Sequence, residues 1–142
     1  MTIKIRTATR VDETACLRMV ELLTAETRTP TWSATFKSLI SGERGEALIA
    51  EEEGALCGLA TVSYNLAIRY GGEYAQLEEL IVDPAVRGKN AGGLLVEEAL
   101  AHARARGCPE FGLYLLEATE HNRPFYEKYG FRVVGSEMRQ RL

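Results

Sequence analysis

The chain has 142 residues, of which 46% are hydrophobic and 26% charged, and it carries a formal net charge of −3 at pH 7. That length suits one domain with its own core, and the composition is that of an ordinary globular protein. An acidic chain has no bulk-charge route to nucleic acid, and no apolar run approaches the ~20 residues of a membrane-spanning helix, so neither is expected as a partner.

In chain order, Met1-Thr2-Ile3-Lys4-Ile5-Arg6 alternates as a strand over residues 2–7 and lacks the apolar core of a signal peptide, so a cytoplasmic location is expected. Asp12 is placed to cap a helix over 13–25, with Leu17, Val20 and Leu22 or Leu23 toward the core. Pro30 breaks the pattern across 27–31, and a second helix is expected over 33–40, ended by Ser41-Gly42. Residues 47–52 and 55–64 read as a hairpin turning at Glu53-Gly54, with Glu51-Glu52-Glu53 as a solvated tip. A turn over Tyr70–Glu73 leads into a strand over 74–82, completing an antiparallel N-terminal half. On that strand Glu79 alternates with Ala75, Leu77 and Ile81, so a carboxylate emerges on an apolar face. Glu78 points to the opposite face unless a bulge resets the alternation.

The segment Val82-Asp83-Pro84-Ala85-Val86-Arg87-Gly88-Lys89-Asn90-Ala91-Gly92-Gly93-Leu94-Leu95 reads as a strand end, a basic glycine-rich turn and the first turn of a helix. Free N–H groups and the dipole at a helix N-terminus attract anions. Arg87 and Lys89 add charge beside them, while Gly88, Gly92 and Gly93 let a large ligand approach the main chain, so a diphosphate is the expected guest. There is no GxxxxGK[ST] and no GxGxxG, which excludes two familiar phosphate loops. Leu95, Val96, Ala99, Leu100 and Ala103 form one apolar stripe along the following helix, and Gly107 with Pro109 ends it. Residues 111–116 suit a buried strand, Asn122 is placed to cap a last helix with Pro124 in its first turn, and 131–134 and 137–141 suit closing strands. Cys16, Cys57 and Cys108 show no CxxC spacing and read as reduced thiols. His102 and His121 read as solvated and have no paired acids, so no metal is expected.

Arg87-Gly88-Lys89-Asn90-Ala91-Gly92 resembles the R/Q-x-x-G-x-G/A signature of the GCN5-related N-acetyltransferases (GNAT), and Pro124-Phe125-Tyr126-Glu127-Lys128-Tyr129-Gly130-Phe131 resembles that family's FYEKxGF block. Asn90 stands where the family usually has glycine, and asparagine is the non-glycine residue most tolerant of a left-handed backbone. The resemblance implies a single α/β (α+β) domain over 1–142, with a mixed central sheet of six to seven strands flanked by about four helices. It implies an acyltransferase that moves an acetyl group from acetyl-CoA to a primary amine, on a small molecule or a peptide or protein, by direct transfer in a ternary complex. On this reading the main chain of Arg87, Gly88, Lys89, Asn90, Ala91 and Gly92 grips the pyrophosphate, and Ile81 and Val82 pair with the pantetheine arm. Amines are almost fully protonated at neutral pH, so a base is needed. The family often has an acid where this chain has Glu79, and a tyrosine beside the cofactor sulfur where it has Tyr126, which makes these the candidate base and acid. Trp32, Phe36 and Tyr64 line the acceptor pocket or pack in the core. A homodimer is expected by analogy, and the alternative reading is a non-catalytic acyl-CoA-binding sensor or interaction module.

Overall fold

The computed structural model describes residues 2–86 and 88–142. Strand β1 (Ile3–Thr7) is followed by α1 (Glu13–Thr24), α2 (Pro30–Ile40), β2 (Gly45–Glu52), β3 (Ala55–Ala67), β4 (Gly72–Val82), α3 (Ala91–Arg106), β5 (Phe111–Leu113) and α4 (Arg123–Glu127). The strands form one five-stranded sheet in the order β1-β2-β3-β4-β5. The first four run antiparallel, and β5 joins β4 in parallel after the α3 crossover.

Each face of the sheet carries its own core. Leu48, Ala60, Val62, Ala75 and Leu77 face α3 and meet Leu95, Ala99 and Ala103. Ala47, Ile49 and Leu59 face the other way and meet Cys16, Leu17 and Met19 of α1 and Phe36 of α2. Burial on both faces explains why β2 and β3 read as near-continuous apolar runs. The β2–β3 turn puts both Glu53 (φ 52°) and Gly54 (φ 79°) in the left-handed region, as a two-residue hairpin requires.

Several expectations need correction. Pro30 does not interrupt a helix but begins one: it occupies the first turn of α2, where its missing N–H costs nothing. Leu22 and Leu23 are exposed, and Cys16 and Met19 take the core positions on α1. Asp12 does not cap α1 with its side chain. Its carboxylate accepts two hydrogen bonds at 2.9 Å from Arg6 and one at 2.7 Å from the Thr9 N–H, pinning the chain between β1 and α1. Asn122 likewise makes no capping bond to α4. Among the described residues the sheet has five strands rather than six or seven. Strand β5 ends at Leu113, so residues 114–116 lie outside the ladder, and residues 131–142 form no strand. Phe131 is anchored edge-on against Phe111 and Tyr126, but beyond it Val133, Val134 and Met138 are exposed. A three-residue edge offers too short a ladder to organise them.

Leu95 is fully buried where α3 crosses the sheet. Leu95→Ala should therefore cost about 2–5 kcal/mol of stability, read as a lower urea midpoint at unchanged slope.

Candidate active site

The site is organised by a register shift between β3 and β4. Thr61 pairs with Glu79 and Val62 with Leu77, so Glu78 is an extra residue bulged into β4. A bulge reverses the alternation beyond it. Ala75 and Leu77 face α3, whereas Glu79 and Ile81 face α1 and α2. The expectation that all four share one face is therefore wrong, and the bulge is the reason. The Ser63 hydroxyl donates to Glu78 at 2.5 Å, which keeps the Glu78 carboxylate on the strand beside Glu79.

Glu79 is largely enclosed, and Thr61 engages it twice: the Thr61 hydroxyl donates to its carboxylate, and its backbone N–H donates to the Thr61 oxygen at 3.1 Å. Burial raises the Glu79 pKa. The Thr61 hydrogen bond opposes that rise and the neighbouring Glu78 charge adds to it, for a net increase. Sequence reasoning missed Thr61, which carries no signal of its own until β3 and β4 are in register.

Glu79 stands on the floor of a cavity of about 330 Å³ between the sheet and the two N-terminal helices. Leu17 and Val20 of α1, Trp32, Phe36 and Leu39 of α2, and Leu59 of β3 form its apolar walls. Trp32 and Phe36 line this cavity, and both also pack with the core between the helices and the sheet. Tyr64 does not line it: it lies in the α3-side core and donates to Glu46.

The other half of the site is where β4 ends. The β4–β5 ladder covers only Ala75–Leu77 with Phe111–Leu113. Among the described residues, the outer edge of β4 from Glu78 to Val82 has no strand partner, leaving an open notch that includes the main chain of Ile81 and Val82. Tyr126, from α4, packs against the α3-side core with Phe125 and Phe131 as ring neighbours. Burial raises its pKa, and its hydroxyl has no hydrogen-bond partner among the described residues.

After β4 the chain turns through Asp83, whose carboxylate accepts from the Ala85 N–H at 2.9 Å, and through a short 3-10 turn at Pro84–Val86. Arg87 lies outside the described residues. Gly88 has φ 89°, and Asn90 adopts the left-handed conformation (φ 60°, ψ 28°) at the start of α3, as its residue type allowed. The Asn90 carbonyl accepts the first helical bond, from the Leu94 N–H at 3.0 Å, but its side chain caps nothing. It is held instead by the Tyr129 hydroxyl at 3.3 Å. The first-turn amides of α3, those of Ala91 and Gly92 among them, therefore keep their donors for another partner. The sequence explains this local packing: a Cβ on Gly93 would stand 1.9 Å from the Tyr129 hydroxyl and 2.2 Å from Asn90 Oδ1. Tyr129 thus ties the second motif to the turn through Asn90. A Cβ on Gly92 would meet only ordinary contacts, with Phe125 at 3.5 Å and Val82 at 3.6 Å, so this glycine is not demanded by the protein's own packing.

Four charged or titratable groups are not where the sequence suggested. Lys89 is turned back to Glu52, at 2.8 Å, and does not stand free beside the helix N-terminus. Glu51 and Glu52 are correspondingly no solvated tip, since Glu51 pairs with Arg6 at 3.0 Å. His102 is not solvated either. It bridges Glu46 at 2.5 Å and Glu98 at 3.0 Å, and although burial lowers its pKa, the Glu46 and Glu98 carboxylates outweigh that and raise it. His121 is exposed. No group of three or more metal-ligating side chains occurs among the described residues.

A central strand thus opens an unpaired edge, leads to uncapped helix amides, and through its bulge turns a largely enclosed carboxylate into a cavity. The acetyltransferase (GNAT) family model matches residues 11–131, and the chain belongs to that family. It is an enzyme of the N-acetyltransferase class. Over 127 residues it is 30% identical to a glucosamine 6-phosphate N-acetyltransferase of Trypanosoma brucei brucei, covering 84% of each chain. Its fold matches a crystal structure of a Trypanosoma brucei acetyltransferase with a TM-score of 0.83 at 25% identity, over 99% of this chain and 100% of that one. It also matches a predicted acetyltransferase of Clostridium acetobutylicum, solved with acetyl-CoA, with a TM-score of 0.83 at 16% identity over 99% and 96% of the two chains. No helix among the described residues is long and apolar enough to cross a membrane.

The raised pKa of Glu79 has a consequence for stability. A carboxyl whose folded pKa exceeds its unfolded one favours the fold below the unfolded pKa, and that contribution is lost as pH rises through the folded value. Glu79→Gln should therefore raise the melting temperature at pH 8, and the gain should shrink as pH falls through the ordinary carboxylate range. Thermal unfolding followed by circular dichroism across pH checks this.

Proposed function

We propose that this enzyme transfers the acetyl group of acetyl-CoA directly to a primary amine bound in the α1–α2 cavity, with Glu79 as the proton acceptor and Tyr126 as the proton donor. The observation that carries the reading is the juxtaposition of three features on one strand. The open edge of β4 runs to the uncapped N-terminus of α3, and the bulge in the same strand turns Glu79 into the cavity.

The residues present suit the donor. Main-chain groups of Ile81 and Val82 on the open edge would pair with the amide-bearing arm, as an added strand would. The amides of the Gly88–Gly92 turn would hold the pyrophosphate, with Arg87 adding charge by the family motif and Lys89 shared with Glu52. The bare Cα of Gly92 leaves room for that approach. Bound there, acetyl-CoA supplies an activated acyl carbon with a thiolate as leaving group.

Glu79, kept basic by burial and by Glu78 yet oriented by Thr61, removes a proton from the ammonium and leaves the neutral amine as nucleophile. Tyr126, whose burial keeps its phenol protonated, returns a proton to the thiolate. Cys16 is the thiol that lines the cavity, but burial pushes its pKa up to about 12, so it is a poor nucleophile for an acyl-enzyme route. That supports direct transfer.

Calorimetry with acetyl-CoA is the first test. Wild type should bind stoichiometrically. Gly92→Asp, whose Cβ would meet only ordinary contacts, should weaken binding at least roughly tenfold by placing a carboxylate against the phosphates. With a turned-over amine, Glu79→Gln should lower kcat by roughly 100-fold or more, and Tyr126→Phe by about tenfold, with acetyl-CoA affinity retained in both. Unchanged kcat in both variants would remove the assigned roles.

The pH profile offers an independent check. Activity needs Glu79 ionised, so kcat/KM should rise with pH through a pKa above the usual carboxylate range. Glu78→Gln removes a charge that raises this pKa and should move the acid limb to lower pH. Thr61→Val removes a hydrogen bond that lowers it and should move the limb to higher pH.

A further inference from the structure

The cavity that holds Glu79 has a chemical character of its own. Its walls are the apolar faces of Leu17, Val20, Trp32, Phe36, Leu39 and Leu59. The charged groups lining it are two carboxylates, Glu79 on the floor and Glu26 toward solvent, and among the described residues no Lys, Arg or His contributes to it. Arg28, in the loop joining the two helices, is turned into an ion pair with Glu21 at 2.6 Å and is reinforced there by its own backbone N–H at 2.9 Å. Arg18 of α1 and Lys37 of α2 are exposed and lie outside the lining.

The hydroxyl groups in the lining are also committed. The hydroxyl of Thr24 donates to the Val20 carbonyl at 2.9 Å, and that of Thr35 to the Thr31 carbonyl at 2.8 Å. The Thr61 hydroxyl donates to Glu79. All three threonine protons are thus spent inside the protein. A phosphate group in this space would meet two carboxylates and no cation, and would lose water without a compensating partner.

We infer that the acceptor is a small primary amine with an apolar, aryl-sized body, its ammonium held by Glu79 while Glu26 at the mouth repels anions, and that phosphorylated amines are excluded. This rests on the acetyl-transfer reading above. The cavity volume of about 330 Å³ lies at the small end of the range for such sites. The flat ring faces of Trp32 and Phe36 suit an aromatic body. The acceptor class therefore differs from that named for the Trypanosoma brucei brucei relative.

Trp32 is the sole tryptophan of the chain and lines the cavity, so its fluorescence reports occupancy without turnover. The full chain would be titrated with 2-phenylethylamine, phosphoethanolamine and glucosamine 6-phosphate. Release of CoA from acetyl-CoA would be measured in parallel with the same three amines. The expected result is saturation of the Trp32 signal by 2-phenylethylamine at a concentration at least roughly tenfold below that of either phosphorylated amine, with kcat/KM ordered the same way. Glu26→Lys, a change at an exposed position, should shift that ratio at least roughly tenfold toward the phosphorylated amines.

Equal or better binding of glucosamine 6-phosphate would overturn the inference, as would a Trp32 signal that no amine perturbs or a ratio unmoved by Glu26→Lys. Saturable binding of 2-phenylethylamine with no CoA release, in protein that binds acetyl-CoA by calorimetry, would instead overturn the acetyl-transfer reading. The two failures are distinguishable because one is read at Trp32 and the other at the thiol.

Discussion

One additional residue in a strand decides the geometry of this molecule. Pairing of Thr61 with Glu79 and of Val62 with Leu77 leaves Glu78 unmatched, and the two halves of β4 consequently present opposite faces to the same core. Up to Leu77 the strand supports β5 and faces α3. Beyond it the ladder to β5 stops, the edge opens, and Glu79 is turned toward α1 and α2. Both halves of the site depend on that change. Without the bulge, Glu79 would point into the packing beneath α3, where a carboxylate has no solvent and no threonine to hold it.

Charge is distributed so that several cations near the site are occupied before a ligand arrives. Arg6 is held by Asp12 and Glu51, Arg28 by Glu21, Lys89 by Glu52 and Arg106 by Glu73. Several of these pairs are solvent-facing and individually contribute little to stability. Their effect is on where positive potential remains. Main-chain amides at the start of α3 are a fixed positive feature, neutral in formal charge and unable to fold back onto a nearby acid. Among the described residues, the charged groups lining the cavity are both negative. The two ends of the active strand thus favour opposite kinds of partner, an anion at the turn and a cation in the cavity.

The residues around Asn90 show how a departure from a family pattern is accommodated. A left-handed backbone at that position would ordinarily ask for glycine, and asparagine adopts it at φ 60°. The side chain so introduced needs a place, which the missing Cβ of Gly93 provides and the Tyr129 hydroxyl closes. Asn90, Gly93 and Tyr129 therefore act as one packing unit, although they come from two motifs that read as independent in the chain.

Much of the fold was legible because local rules determine it. The hairpin at Glu53-Gly54, the helix closed by Gly107 and the strand feeding a glycine-rich turn each follow from backbone preferences and apolar periodicity within a dozen residues. The family, and with it the enzyme class, were legible for the same reason, since the phosphate turn and the Tyr126 block are contiguous. What the chain alone could not determine were features that arise between segments distant in sequence. The bulge exists only in the register of β4 against β3, the pairings of Lys89 with Glu52 and of His102 with Glu46 only once hairpin and helix are adjacent, and the want of closing strands only because β5 is short. Sequence determined which elements form and which atoms can do chemistry. Tertiary structure decided the face on which each stands, because side-chain direction along a strand reverses with a single residue of register and no local signal records it.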